Sequence, residues 1–144
     1  MEQPQVPKKK SRKKLIAVIV IVIIVVFVVA IALAGGSKKT IVANGTVENL
    51  SGSQYYSIEF TVSSSTTIYG SESATNGVTF YLMTPSEYAS LASSGTASSY
   101  VYTSGTISSG SFNTNINSGT YYAVFMNPHT FSSTTVTIND LYVQ

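Results

Sequence analysis

The chain contains no cysteine in its 144 residues, so a disulfide framework, a thiolate metal site and a lipid-modified cysteine are all excluded. It has no tryptophan, one histidine and four prolines. Most telling, no lysine or arginine follows Lys39. The cations are Lys8, Lys9, Lys10, Arg12, Lys13, Lys14, Lys38 and Lys39. Residues 40–144 contain five acids (Glu48, Glu59, Glu72, Glu87, Asp140) and no base, a charge of −5 with His129 neutral, against +2 for the whole chain. A surface without cations cannot neutralise phosphates and release their counterions, which excludes nucleic acid as its partner.

What the sequence does contain is divided near residue 40. Leu15–Ala34, "LIAVIVIVIIVVFVVAIALA", is twenty residues without a polar side chain. As a helix it covers roughly 30 Å, the thickness of bilayer hydrocarbon. In lipid, a helix lets a single apolar segment satisfy its own backbone. Six cations precede the segment and two follow it, so the positive-inside rule keeps the N-terminus in the cytoplasm and exports the rest. The expected organisation is a basic cytoplasmic tail over 1–14, a single transmembrane helix over 15–34, a linker over 35–39 and an extracytoplasmic domain over 40–144. A cleaved signal peptide is the rival, because Ala32-Leu33-Ala34 fits a small-x-small cleavage site. The apolar run is nevertheless longer than the ~7–15 residues of a typical signal-peptide core.

Residues 40–144 include 38 Ser and Thr, a proportion seen in mucin-like stalks, but stalks are also proline-rich and lack regular apolar spacing. Here only Pro85 and Pro128 occur and the apolar residues keep a period of two, which indicates strands. Strands are expected at Thr40–Val47, at "YSIEFTV" (56–62), at Thr66–Gly70, and at Val78–Met83 after a turn at Asn76-Gly77. One or two more lie in "SYVYTSGTIS", followed by "SFNTNI", "TYYAVFM" and a final "TTVTINDLYV" with a bulge at Asn139-Asp140. About eight short strands separated by turn signals read as an all-β, antiparallel β-sandwich, Greek-key or jelly-roll-like.

One stretch breaks the pattern. In "MTPSEYASL", Thr84 is placed to cap a helix, Pro85 occupies its first position, and Glu87 completes a capping box. Tyr88 and Leu91 share one face, and Gly95 is available to end the helix. A two-turn helix with so small an apolar face reads as a structural connector between strands, with Thr84 and Glu87 as its cap. A catalytic role for Glu87 would need a partner, and no base or second acid lies nearby in sequence.

Reactive constellations are sparse. His129, in "NPHTF", reads as a loop-tip residue, since Asn-Pro favours a turn. No G-x-S-x-G elbow accompanies it, the acids lack calcium-loop spacing, and no phosphate-binding glycine loop occurs. No catalytic residue, cofactor or metal is expected. Asn44-Gly45-Thr46 and Asn49-Leu50-Ser51 are N-glycosylation sequons, which make Asn44 and Asn49 acceptor candidates. All ten tyrosines fall after residue 40. Adjacent pairs point to opposite faces of a strand, so Tyr121, Tyr122, Tyr100 and Tyr102 are candidate ligand contacts. A sheet edge in this segment has no lysine to blunt it, which leaves strand addition open to a protein partner.

The arrangement "VTFYLMTPSEYASL", then "GSF", "SGTYYAVFMN" and "TTVTI", resembles the GOLD-like β-sandwiches. It is similar as well to the bacterial pre-peptidase C-terminal domains, with Gly119, Tyr121, Tyr122 and Asn127 matching a G-x-Y-Y-x-x-x-x-N strand. The resemblance spans roughly residues 50–140. It implies a non-catalytic extracytoplasmic domain that binds protein or glycan. Membrane GOLD proteins carry a C-terminal span and a disulfide, both missing here, so cargo transport is not implied. The reading is a single-pass cell-membrane protein whose non-enzymatic extracellular sandwich binds protein or builds the cell surface. Its partners are the lipid bilayer through residues 15–34 and another surface or membrane protein, or a glycan. The alternatives are a carbohydrate-binding module, and a secreted or filament subunit whose apolar segment is cleaved or packed in a fibre.

Overall fold

The computed structural model describes residues 23–26 and 38–144. Seven strands run in the order β1 (Ile23–Val26), β2 (Thr40–Leu50), β3 (Tyr55–Val62), β4 (Thr66–Met83), β5 (Tyr102–Ile116), β6 (Gly119–Met126) and β7 (Thr134–Val143). The one helix among the described residues, α1 (Pro85–Ser94), joins β4 to β5. The strands form one sheet of order β1-β3-β6-β4-β7-β2, with β5 on the other flank of β4. Every pairing is antiparallel except that of β1 with β3.

The sheet curls over itself because β4 belongs to both halves. Ile68–Ala74 pair with β7, whereas Thr79–Met83 pair with β6. Alternation then sends one set of side chains inward from both halves. Ile58, Phe60, Val62, Ile68, Phe80, Leu82, Val136, Ile138 and Leu141 meet there, all at most 2% exposed. Phe80 anchors them, stacked 4.1 Å from Phe112 and tilted against Phe125 at 5.1 Å. Gly70 makes room for this packing, since a Cβ there would lie 2.2 Å from the Phe112 ring.

Two expected strand breaks are absent. "SYVYTSGTIS" and "SFNTNI" form the single long β5, and Thr66–Gly70 continues through Asn76-Gly77 into Val78–Met83 as β4. Asn76-Gly77 bends the chain, with Gly77 at φ +83°, but the bend does not reverse it. Between Ser73 and Val78 the register with β5 shifts. Asn76 N donates to Thr134 Oγ1 and Thr135 N to Thr75 Oγ1, so the corner is held by β7 and β4 passes from one half of the curl to the other. The bulge near the C-terminus is present: Asp140 opposes Ser71 and Ile138 opposes Glu72, leaving Asn139 without a partner on β4.

Of the apolar segment 15–34, only Ile23–Val26 lie among the described residues; the rest of it, and the 1–14 tail, lie outside them. Those four residues form a strand, not the expected helix, with Ile23 opposite Tyr56 and Val26 opposite Glu59. Isoleucine and valine favour extended backbone where a sheet edge offers partners. Among the described residues no helix is long and apolar enough to cross a membrane.

Helix α1 lies on the outer face of the β3–β6–β4 half. Thr84 Oγ1 accepts from Glu87 N at 3.5 Å, and Thr84 N donates to Glu87 Oε2 at 2.8 Å. Gly95, at φ +71°, closes the other end by donating to Leu91 O. Tyr88 and Leu91 are buried against Tyr55, Met83 and Val124.

Candidate functional site

The four candidate tyrosines do not share one surface. Tyr121 faces the core, stacked 6.0 Å from Phe60, and its hydroxyl donates to Asn117 O. Tyr122 faces the opposite way but lies under the helix, parallel to Tyr88 at 4.0 Å. Its hydroxyl donates to Glu59 Oε2 at 2.7 Å. That hydrogen bond to a carboxylate, with some burial, pushes the Tyr122 hydroxyl up to about 12. Tyr102 leans on Phe112 and Phe80. Tyr100 alone of the four is well exposed, at 43%, and touches Tyr81.

Tyr100 and Tyr102 stand where β5 begins. β5 pairs only with β4, so its other flank is an unpaired edge among the described residues. That edge runs fifteen residues, "YTSGTISSGSFNTNI", and holds neither charge nor proline. Natural edge strands are usually short, charged or interrupted by proline. Here two irregularities interrupt it: the register shift at Ser108, opposite Ser73–Val78, and a bulge at Ser104, where Phe80 N donates to Ser104 Oγ and Thr103 Oγ1 donates to Phe80 O. Directly before the edge, Val101 is 42% exposed beside Tyr100. An unsatisfied backbone ladder with an apolar patch at its start is suited to accept a strand from another protein.

The loop between β6 and β7 flanks this edge. Gly77 lies between Thr106 of β5 and His129 of the loop. Asn127, buried to 1% exposure, holds the loop: its Nδ2 donates to Leu50 O, Ser51 O and Ser132 O, and its Oδ1 accepts from His129 N. The adjoining turn is packed so closely that a Cβ on Gly52 would lie 1.9 Å from Thr130 O. On this fixed frame Phe131 is 100% exposed. The His129 ring contacts Asn76 O at 2.7 Å, a backbone carbonyl, and not a hydroxyl or carboxylate as a nucleophilic triad requires.

Asn44 and Asn49 are both exposed on β2, and Asn49 Oδ1 accepts from Thr135 Oγ1 at 2.6 Å. Among the described residues no three His, Cys, Asp or Glu gather as a metal site would require. One ionisable group stands apart. Glu72 is 1% exposed and neither carboxylate oxygen has a partner. Burial raises its pKa to about 7, opposed by neighbouring Ser104. The Ser104 proton is directed to Gly105 O, which leaves the carboxylate without a donor.

Sequence reasoning passed over Phe131, the β5 edge and Asn127's role as a latch. A lone aromatic among Thr and Ser in "HTFSS" was a readable signal for the first. No sequence pattern distinguishes an edge strand from a central one when both alternate.

No family model matches the chain, and no curated protein matches it significantly. Among solved structures, the pre-peptidase C-terminal domain of a collagenase from Bacillus anthracis is similar, with 17% identity and a TM-score of 0.47, over 83% of this chain and 94% of that one. PliG of Aeromonas hydrophila, a periplasmic inhibitor of g-type lysozyme, is similar over 84% of this chain and 99% of its own, with 10% identity and a TM-score of 0.43.

Proposed function

We propose that this is a membrane-anchored, non-enzymatic extracytoplasmic β-sandwich that docks another surface protein along the β5 edge. The observation that carries the reading is the uncharged fifteen-residue edge with Tyr100 and Val101 exposed at its start. Phe131, fully exposed on the β6–β7 loop beside the Gly52 turn, offers a second apolar contact. A partner would add a strand through main-chain hydrogen bonds and seat an apolar side chain against Tyr100. Tyr121 and Tyr122 are engaged within the fold, which disfavours them as a glycan platform.

Residues 15–34 supply the anchor. Among the described residues β1 pairs with β3 alone, so leaving that edge disturbs no other described ladder, and within hydrocarbon the segment gains more as a self-satisfied helix. The six preceding cations orient it with the N-terminus in the cytoplasm. N-terminal sequencing of the mature protein tests this half: an intact leader in the alkali-resistant membrane fraction is expected, and a chain beginning at Gly35 removes the anchor.

The docking half is tested with a photoreactive residue at Ser108, on the edge, and another at Val47, on β2. One protein adduct at position 108, lost on Ser109→Lys and not formed at position 47, is expected. Equal labelling at both positions would falsify docking at this edge.

A further inference from the structure

Among the described residues no helix covers the outer face of the β7–β4–β5 half, and that face is not flat. A cleft of about 250 Å³ opens there, lined by Tyr69, Tyr142, Ser71, Ser111, Asn113 and Asp140. We propose that this cleft binds a single neutral sugar ring. The site is separate from the β5 edge and rests on different side chains.

The aromatic wall comes first. Tyr69 and Tyr142 oppose each other across β4 and β7 and stack at 5.0 Å with 11° between their planes. Lys39 Nζ lies 3.9 Å from the Tyr142 centroid, so Tyr142 contacts both a ring and a cation. Tyr69 has no second ring and no cation against it among the described residues. The negative face of an aromatic ring attracts weakly positive hydrogens, such as the C–H groups along one side of a pyranose.

Charge narrows the ligand class. Lys39 Nζ donates to Asp140 Oδ2 at 2.6 Å, which neutralises the carboxylate and leaves the cleft no surplus charge for an anion or a metal cation. Asp140 Oδ1 is buried and has no partner. Oδ1 is closed to solvent, so Oδ2, which Asp140 shares with Lys39 at the cleft, is the oxygen left to accept from a ligand hydroxyl. Ser71, Ser111 and Asn113 add hydroxyl and amide groups that both donate and accept, the match for a ring bearing several hydroxyls. The volume is below the ~300–1,000 Å³ of sites for drug-sized ligands, so the cleft takes one ring and not an extended oligosaccharide.

The test uses the full chain in a detergent without a sugar headgroup. It is titrated with the methyl glycosides of glucose, galactose, mannose and N-acetylglucosamine, followed by saturation-transfer NMR and tyrosine fluorescence. At least one glycoside is expected to saturate in the millimolar range. Asp140→Asn and Tyr69→Ala should each weaken it about tenfold or more, while Val47→Ala, exposed on β2 outside the cleft, leaves it unchanged. If the Tyr69 variant fails to fold by circular dichroism, Asn113→Ala, an exposed position, takes its place with the same expected direction. Absence of saturation for all four glycosides up to ~100 mM, far weaker than a specific site of this kind, overturns the proposal. So does saturable binding that survives the substitutions.

Discussion

On the outer face of β3, β6 and β4, Tyr55, Tyr81 and Tyr122 lie against α1 or its flanks. On the outer face of β7 and β4, Tyr69 and Tyr142 stand partly open to solvent beside Asp140. Both faces display tyrosine among Ser and Thr. What separates them is the chain that follows Met83: one capped helix folds back over the first half, and nothing in the described chain folds over the second. Under the helix Tyr88 meets Ser57 at 2.9 Å and Tyr122 meets Glu59, while the Tyr55 hydroxyl is enclosed in the packing without a partner. On the bare face Ser71, Ser111 and Asn113 reach solvent around the two tyrosines. The same amino acids thus make a packing layer in one place and a candidate binding surface in the other.

The sharpest way to break that contrast is to remove the helix's grip. Leu91 is fully buried beneath α1, and Leu91→Ala should cost about 2–5 kcal/mol. Ser111→Ala on the bare face should stay within about 0.5 kcal/mol. Equal losses in chemical denaturation would show that both faces are packing layers.

Acidity separates the interiors of the two halves. The folded pKa of Glu72, about 7, lies above its unfolded value near 4.5, so the folded state binds the proton more tightly. The burial penalty is absent below pH 4.5, where both states are protonated. It grows as pH rises towards 7 and is constant above. Stability should therefore fall by roughly 3 kcal/mol across that window. Glu72→Gln should flatten this loss when denaturation midpoints are compared at pH 4.5 and pH 8. A slope that persists in the variant assigns the effect to another group.

The smallest effect concerns the cap. Thr84→Ala should cost about 0.5–2 kcal/mol and leave adduct formation at position 108 unchanged. A variant that melts normally yet no longer forms the adduct would make the helix start part of the docking site.

Local chemistry was readable in the sequence and long-range partnership was not. The helix from Pro85, its Thr84 cap and the Gly95 stop follow from side chains within a dozen residues of one another. The strands after residue 40 follow from period-two alternation. Asn76-Gly77 was misread because its turn chemistry specifies a bend but not what the chain meets next; Thr134 and Thr75 decide that from opposite strands. Ile23–Val26 was read as lipid-facing helix from length and hydropathy alone, with no account of a neighbouring sheet edge. The cleft joins residues 69, 113, 140 and 142, and that proximity exists only once β4 lies between β5 and β7.

The strand pair β2–β7 has a mechanical consequence. Thr40 opposes Val143 at one pole, and Leu50 opposes Thr134 at the other, where Phe131 projects. A tether pulling at Thr40 and a partner pulling at the Phe131 loop draw these antiparallel strands along their length in opposite directions. Nine register pairs then carry the force together in shear, instead of opening one after another like a zipper. A tug between the two poles therefore meets the sheet in its most resistant direction.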